Sequence, residues 1–167
     1  MKTIGLLGGM SWESTVPYYQ HINQLVRERL GGLHSAKVVL YSVDFHEIAQ
    51  LQRAGNWDEA QAVLSCAAKA LAAAGAEILV ICTNTMHKLA AQIEAAAGIP
   101  LLHIAMPTAT AIQQAGLRKV GLMGTRFTME QPFYRDLLQE KYGLELVIPE
   151  EAERADIHRV IFDELCV

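Results

Sequence analysis

Apolar residues along this chain fall into two alternating kinds of segment. Short continuous runs of strand length, such as KTIGLL at residues 2–7 and EILVIC at residues 77–82, alternate with longer stretches of helical character. The predicted strands cover residues 2–7, 37–43, 77–82, 100–105, 119–123 and 144–148. The predicted helices cover residues 14–30, 57–74, 85–97, 108–115, 129–142 and 150–165. Continuous apolar strands separated by helices are typical of parallel strands covered on both faces, so the sequence predicts a doubly wound α/β fold.

Two segments of similar outline indicate an internal repeat. IGLLG at residues 4–8 and VGLMG at residues 120–124 each form a predicted strand that ends in glycine and leads through a polar turn into a helix. Such a repeat predicts two similar parallel-sheet halves, with an inter-domain cleft where their strand ends face each other. We expect a first half at residues 1–105, which carries Cys82, and a partial second half at residues 106–167, which lacks its third strand.

Composition and charge narrow the class of protein. Hydrophobic residues make up 51% of the chain and charged residues 19%, which predicts a well-filled core and argues against disorder. The formal net charge of −4 offers no basic field for nucleic acid or an anionic membrane, so neither is an expected partner. The apolar run at the N-terminus breaks at Gly8 and Gly9, too early for a signal peptide or a membrane span. We therefore expect a soluble cytoplasmic protein with reduced thiols.

The three cysteines do not form a recognisable framework. Cys66, Cys82 and Cys166 include no CxxC pair, and no group of histidines and cysteines has zinc-site spacing, so no metal is predicted. Cys66 lies among alanines in a predicted helix, where we expect it to serve packing. Cys166 ends the last predicted helix and is expected to be structural or terminal.

Cys82 is placed differently from the other two cysteines. It follows a buried predicted strand and precedes a helix, and ligands in parallel α/β folds bind at the carboxyl ends of strands. A thiol beside the free amides of a helix N-terminus is expected to have a lowered pKa. The same amides, with the side chains of Thr83, Asn84 and Thr85, could hold a carboxylate. A buried strand-end cysteine without a function is the alternative.

Two further loops follow predicted strands. Residues 8–15 (GGMSWEST) begin with two glycines that allow a tight turn and a close approach of a ligand. Residues 124–128 (GTRFT) offer two hydroxyls at a helix start. The glycine spacing is not GxGxxG, and only Asp44 could contact a ribose, so a dinucleotide site is poorly supported.

Taken together, these loops resemble the aspartate/glutamate racemase family, and within it the broad-specificity bacterial amino-acid racemases. The matching segments are GLLGGMSWEST at residues 5–15, SVDFHEI at 42–48, CTNTMHK at 82–88, GTRFTMEQPFY at 124–134 and PEEAERADIHRVIFDEL at 149–165. Their combination is specific, and the likeness runs over essentially the whole chain.

The resemblance implies a cofactor-independent isomerase that interconverts L- and D-amino acids. Members of the family use two cysteines on opposite faces of the substrate Cα, one removing a proton while the other delivers one. Cys82 matches the first of these. The implied substrate-binding residues are Met10 and Gln52, which match pocket-lining positions, and Thr83, Asn84, Thr85, Thr125 and Thr128, which match the region that holds the substrate carboxylates. Family members commonly dimerise, so a homodimer through the first half is a further expectation.

The second cysteine of the family lies in a Gly-Cys-Thr-Glu-like segment, which this sequence does not contain. We therefore expect a C-terminally truncated racemase with impaired activity. The alternatives are a non-catalytic amino-acid or carboxylate binding module, a thiol hydrolase or redox protein that uses Cys82 with His87, and a flavin or nucleotide binding protein.

The other candidate side chains carry weaker signals. His87 lies five residues after Cys82 and is expected to lie along the helix, partly exposed and structural. His46 and His103 are expected near strand ends, where they could tune the cleft, although the absence of a functional role is the favoured interpretation. Arg53 could offer charge to a side-chain carboxylate. The remaining histidines have no constellation of polar residues around them; they are His21, His34 and His158.

Overall fold

The computed structural model describes residues 1–166 of the chain, which fold as two compact units. The first unit comprises Met1–Thr83 and Leu89–Leu102. The second unit comprises Asn84–Lys88 and residues 103–166. The division into functional halves between residues 105 and 106 stays a prediction.

The first unit is built on a parallel sheet. Its strands are β1 (Ile4–Gly8), β2 (Val38–Ser42) and β3 (Ile78–Ile81), in the spatial order β2-β1-β3. In register, Ile4 of β1 lies beside Val38 of β2 and Ile78 of β3. Because all pairs are parallel, the carboxyl ends of the strands meet at one edge of the sheet. The helices of this unit are α1 (Trp12–Leu30), α2 (Phe45–Ala54), α3 (Trp57–Ala73) and α4 (Ala90–Ala97).

Local sequence signals define the ends of these helices. At the start of α2, the Asp44 side chain accepts a hydrogen bond from the backbone N–H of His46. At the start of α3, the Asn56 side chain accepts one from the backbone N–H of Glu59. Gly55 ends α2 in the left-handed conformation, at φ 69°. The core of the unit consists of fully buried side chains from β1, α2, α3, β3 and α4, namely Leu6, Leu7, Ile48, Leu64, Leu71, Leu79, Ile81 and Ile93.

The second unit has a smaller parallel sheet. It pairs β4 (Lys119–Gly121) with β5 (Glu145–Val147), and Val120 lies beside Leu146. Its helical elements are a 3₁₀ turn at Thr85–Leu89, α5 (Ala105–Gln114), α6 (Arg126–Glu130), α7 (Pro132–Asp136), a π turn at Leu137–Lys141, α8 (Glu151–Val160) and a π turn at Ile161–Leu165. Its core cluster consists of Ala105, Ala109, Tyr134, Leu138 and Leu144. The α/β prediction is confirmed: strands pair in parallel in both units, and helices connect them.

The predicted strand at residues 100–105 is wrong. Only Leu101 bridges to the sheet, opposite Leu79, and the chain then turns into a helix that begins at Ala105 instead of residue 108. The backbone carbonyl of His103 accepts the N–H of Met106, which starts a helical turn where the apolar pattern indicated extended chain. Length and hydrophobicity alone do not separate these two conformations in so short a run.

Other helices were missed or predicted as too continuous. Helix α2 was not predicted, although it carries Gln52. The predicted helix at residues 129–142 is divided at Gln131, whose extended backbone ends α6 and precedes Pro132 at the start of α7. A residue before proline is pushed out of the helical region, which explains the break.

Candidate functional site

Cys82 leaves the sheet at the carboxyl end of β3. Its N–H donates to the carbonyl of Leu7 at 2.9 Å, which continues the β1–β3 ladder by one residue. The Ser14 hydroxyl lies 3.0 Å from the Cys82 carbonyl and 2.9 Å from the Ser11 carbonyl, so it links the Cys82 backbone to the loop after β1. The backbone at Cys82 is thus fixed by the strand before it and by the first turn of α1.

The glycine loop after β1 needs both the space and the conformation that glycine allows. Gly9 has φ 88°, and a Cβ atom at this position would clash with the backbone of Val43. The Gly9 N–H donates to the buried hydroxyl of Thr15 at 2.9 Å, and that hydroxyl also bonds the Ser11 carbonyl at 2.9 Å. The predicted tight turn is therefore present. Its supporting hydroxyls, Ser14 and Thr15, belong to the GGMSWEST segment but were not predicted to have this role.

The predicted lowering of the Cys82 pKa is wrong for this structure. The residue has no exposed surface, and burial raises the pKa of its thiol to about 12. At this position, the free-energy cost of removing a thiolate from water is larger than the stabilisation that neighbouring backbone amides provide. The sulfur lies 4.0 Å from the carbonyl oxygen of Val80, to which the neutral S–H can donate. Cys82 is therefore a neutral thiol here.

Three threonines of the predicted carboxylate site meet within the second unit. The Thr85 and Thr125 hydroxyl oxygens are 3.0 Å apart, and those of Thr125 and Thr128 are 3.3 Å apart. Thr125 also accepts the N–H of Thr128 at 3.3 Å as the N-cap of α6. Thr85 and Thr128 are buried, whereas Thr125 is partly exposed. The result is a short row of hydroxyls beside a helix start, a group able to donate to an anion.

The remaining predicted binding residues differ in exposure. Thr83 is half-buried and Asn84 is exposed, and the Asn84 carbonyl accepts the N–H of His87 at 3.0 Å. Met10 is buried in the loop after β1, next to a cis peptide bond to Ser11. Gln52 is buried on α2, and its side-chain amide oxygen, Oε1, has no hydrogen-bond partner within the part of the chain that the structure describes. A buried carbonyl oxygen of this kind needs an N–H or O–H donor.

The chain matches a family model across nearly its whole length. The model is that of Asp/Glu/hydantoin racemases, and it matches residues 7–165. The chain belongs to this family. The residue-level resemblance predicted from the loop segments is confirmed at the level of family.

Solved structures agree with this assignment. A candidate Asp/Glu racemase from Yersinia pestis is 61% identical, with a TM-score of 0.91 over 99% of this chain and 72% of that one. An aspartate racemase homologue from Pyrococcus horikoshii OT3 is 36% identical, with a TM-score of 0.84 and coverage of 99% and 72%. The aspartate racemase of Picrophilus torridus, at 21% identity and a TM-score of 0.77 over 98% and 70%, shares the fold.

Two cysteines of this racemase-family chain lie elsewhere. Cys66 is exposed on α3, so its predicted packing role is wrong: it points away from the buried face formed by Leu64, Ala67 and Ala68. Cys166 follows the π turn at Ile161–Leu165 and is partly exposed.

His87 is more buried than predicted. It is 3% exposed, on the 3₁₀ turn that follows Cys82 and Thr83, and it accepts the N–H of Ile104. His103 is half-buried beside it, with ring centroids 4.5 Å apart. Arg53 and His46 are exposed on α2.

Within residues 1–166, no helix combines the length and the apolar character that crossing a bilayer requires. In the same range, no three His, Cys, Asp or Glu side chains are grouped as a metal site.

Proposed function

We propose that this chain carries one catalytic half of an amino-acid racemase, with Cys82 as the group that exchanges a proton with the substrate Cα. The observation that carries the proposal is the fixed position of Cys82 at the carboxyl end of β3, held through its N–H by Leu7 and through its carbonyl by Ser14. Family membership supports the reaction class. The substrate class is an amino acid of the aspartate or glutamate type, as the names of the related structures suggest.

The threonine row is proposed to hold the substrate carboxylates. Thr85, Thr125 and Thr128 present three hydroxyls, and a hydroxyl that bonds its neighbour can turn its proton toward an anion. Asn84 and Thr83 are proposed to add donors from the loop after β3. Fixed donors of this kind also stabilise the negative charge that develops when the α-proton leaves.

Gln52 and Met10 are proposed to contact the substrate. The unpartnered side-chain Oε1 of Gln52 can accept a hydrogen bond from the α-ammonium group of an amino acid. Met10 offers a buried apolar surface that adapts to different side chains.

The protonation state of Cys82 sets the direction in which it is ready to act. A neutral thiol can deliver a proton to a carbanion, but removal of the α-proton requires the thiolate. We propose that a bound substrate's ammonium group lowers the pKa of the buried thiol, because an unscreened positive charge nearby favours the thiolate. Such chemistry needs no cofactor, and cofactor independence is part of the proposal.

Full racemisation in this family is proposed to need a second thiol on the other face of the substrate. Of the other cysteines, Cys66 is exposed on α3 and Cys166 follows a π turn, so neither repeats the strand-end position of Cys82. We therefore propose that the 167-residue polypeptide by itself binds its substrate but racemises it poorly. The protein is further proposed to be cytoplasmic.

A homodimer is proposed to form through α1. This helix buries only Thr15 and leaves several large apolar side chains more than 40% exposed, namely Trp12, Val16, Tyr19, Leu25 and Leu30. Trp12, Val16, Tyr19 and Leu30 recur at helical spacing and so share one side of α1. An exposed apolar face of this kind is typical of an association surface. Sedimentation of the wild type and of Trp12→Glu tests it, and a monomeric wild type would contradict it.

Exchange of the α-proton in deuterated water tests the catalytic proposal. Aspartate, glutamate and neutral amino acids are incubated with the protein, and the Cα–H signal is followed by proton NMR. Cys82→Ser should abolish any exchange and Cys66→Ser should leave it unchanged. Exchange that survives in Cys82→Ser would overturn the role of Cys82, and fast racemisation by the wild type would overturn the need for a second thiol.

A binding module without catalysis is the second candidate, favoured by the high pKa of the Cys82 thiol. Under this alternative, Cys82→Ala binds aspartate or glutamate as tightly as the wild type in calorimetry, and neither protein exchanges the α-proton.

A further inference from the structure

The first turn of α5 is capped by two imidazole rings. The Ile104 N–H donates to Nε2 of His87 at 3.1 Å, and the Ala105 N–H donates to Nδ1 of His103 at 3.2 Å. The first N–H groups of a helix have no partner within the helix and must find acceptors elsewhere. Two histidines supply them here, where serine, threonine or aspartate would be the usual choice.

The other donors of this turn are also accounted for. The Met106 N–H donates to the His103 carbonyl at 3.0 Å. Pro107 has no N–H to satisfy. The start of α5 is therefore fully paired, and two of its bonds depend on imidazole nitrogens.

Both bonds require neutral rings. A ring nitrogen that accepts an N–H must carry a lone pair, so the proton of His87 resides on Nδ1 and that of His103 on Nε2. Protonating either ring places an N–H donor against a backbone donor and removes a cap. The ring centroids are 4.5 Å apart, so two protonated rings would also repel each other.

The surroundings disfavour positive charge on the pair. His87 is 3% exposed, and burial followed by the charge of Lys141 lowers the pKa of His103. Lys141 ends the π turn that packs against α5, and Lys88 is the neighbour of His87 on its own turn. Tyr134 bonds Thr108 of α5 and presents a neutral phenol, since burial raises its pKa. The positive end of the α5 dipole adds to the effect.

His87 connects this cap to the threonine row. It lies on the 3₁₀ turn Thr85–Leu89, two residues after Thr85, whose hydroxyl bonds Thr125. The bond from Ile104 to His87 ties that turn to α5. A change at the imidazole pair therefore reaches Thr85 through a single short turn.

We propose that His87 and His103 act as a paired positioning device, a neutral imidazole cap that holds the Thr85 turn against α5 and releases it when the pair is protonated. The link from Thr85 to ligand affinity rests on the proposed function. The capping and its release stand on the hydrogen bonds alone.

Imidazole nitrogen NMR of the full chain, labelled with ¹⁵N, tests the cap without any variant. At about pH 8 the two rings should show opposite neutral tautomers, with a protonated Nδ1 on His87 and a protonated Nε2 on His103. As the pH falls to about 5, the Ile104 and Ala105 amide signals should shift together with the ring signals. Identical tautomers at about pH 8, or amide signals that ignore the ring titration, would overturn the proposal.

Two variants separate capping from titration. The substitutions His87→Gln and His103→Asn keep an acceptor near the same place but do not titrate, so the double variant H87Q/H103N should keep the cap at low pH. H34Q replaces an exposed histidine of the first unit and serves as the matched control. In amide exchange, the wild type and H34Q should lose protection at Ile104 and Met86 between about pH 7 and about pH 5, and the double variant should not. An equal loss in all three proteins would overturn the proposal.

Calorimetry with aspartate adds the link to the site. Affinity in the wild type and H34Q should fall about fivefold or more from about pH 7 to about pH 5, and stay level in the double variant. Equal falls in all three proteins would overturn the coupling to Thr85. Absence of binding at every pH would contradict the proposed function, while the NMR result would still decide the cap.

Discussion

Modification by a small disulfide reagent should reveal how strongly burial suppresses the reactivity of Cys82. A pKa of about 12 in place of 9.0 lowers the thiolate fraction near neutral pH about 1000-fold. The more basic thiolate is a better nucleophile, and at a Brønsted slope near 0.45 its intrinsic rate of attack is about 20-fold higher. The net expectation is modification about 50-fold slower than that of an ordinary exposed thiol. The absence of exposed surface at Cys82 slows it further.

The assay is mass spectrometry of each cysteine-containing peptide over time, at about pH 7 and about pH 9. Exposed Cys66 is the internal reference in the same molecule. The rate of modification at Cys82 should rise about tenfold for each pH unit, because the thiolate fraction rises about tenfold per pH unit below the pKa. Denaturant should remove the difference between the two sites. If Cys82 of the folded protein reacts within about threefold of Cys66 at about pH 7, the reasoning from burial is refuted.

Three further changes test the supports of the site, each by denaturant unfolding. Gly9→Ala should lower the free energy of unfolding by at least about 3 kcal/mol, because it combines positive φ with a backbone clash. Gly31→Ala, which has positive φ in open space, should lower it by about 1–2 kcal/mol, and equal losses in the two variants would contradict the clash. Thr125→Ala should lower the free energy of unfolding by about 1–2 kcal/mol through loss of the α6 cap, and Thr125→Ser should lower it by less than about 0.5 kcal/mol. Unchanged stability in the alanine variant would show that the cap contributes nothing. Leu64→Ala, in the core, should lower the free energy of unfolding by about 2–5 kcal/mol, and Leu33→Ala, on the surface, should lower it by less than about 0.5 kcal/mol. Similar losses in the two variants would contradict the assignment of Leu64 to the core.

The candidate site was predictable where it follows from local pattern. Apolar runs ending in Gly8 and Cys82 define strand ends, and parallel strands bring such ends to one edge of a sheet. Thr125 was predictable as a cap because a hydroxyl before a helix accepts a first-turn N–H. These inferences need only the covalent neighbours of each residue.

The errors have a common physical origin. The Cys82 pKa, the exposure of Cys66 and the burial of His87 all depend on which atoms from distant parts of the chain surround each group. A helix N-terminus after Cys82 predicted a lowered pKa, but desolvation, which the local sequence does not reveal, is the larger effect. The missed helix α2 and the short extended segment at Leu101 likewise reflect tertiary context acting on segments with weak local preference.

The sequence by itself determined the α/β class, the order of most elements, the strand-end position of Cys82 and membership of the racemase family. It could do so because the hydrophobic period, the capping residues and the motif spacing are properties of residues close together in the chain. Only the tertiary structure decided that Cys82 is a neutral buried thiol, that Thr85 meets Thr125, and that two histidines cap α5. Charge state and hydrogen bonding depend on solvent exclusion and on distances between residues far apart in the chain, and these are fixed only when the chain has folded.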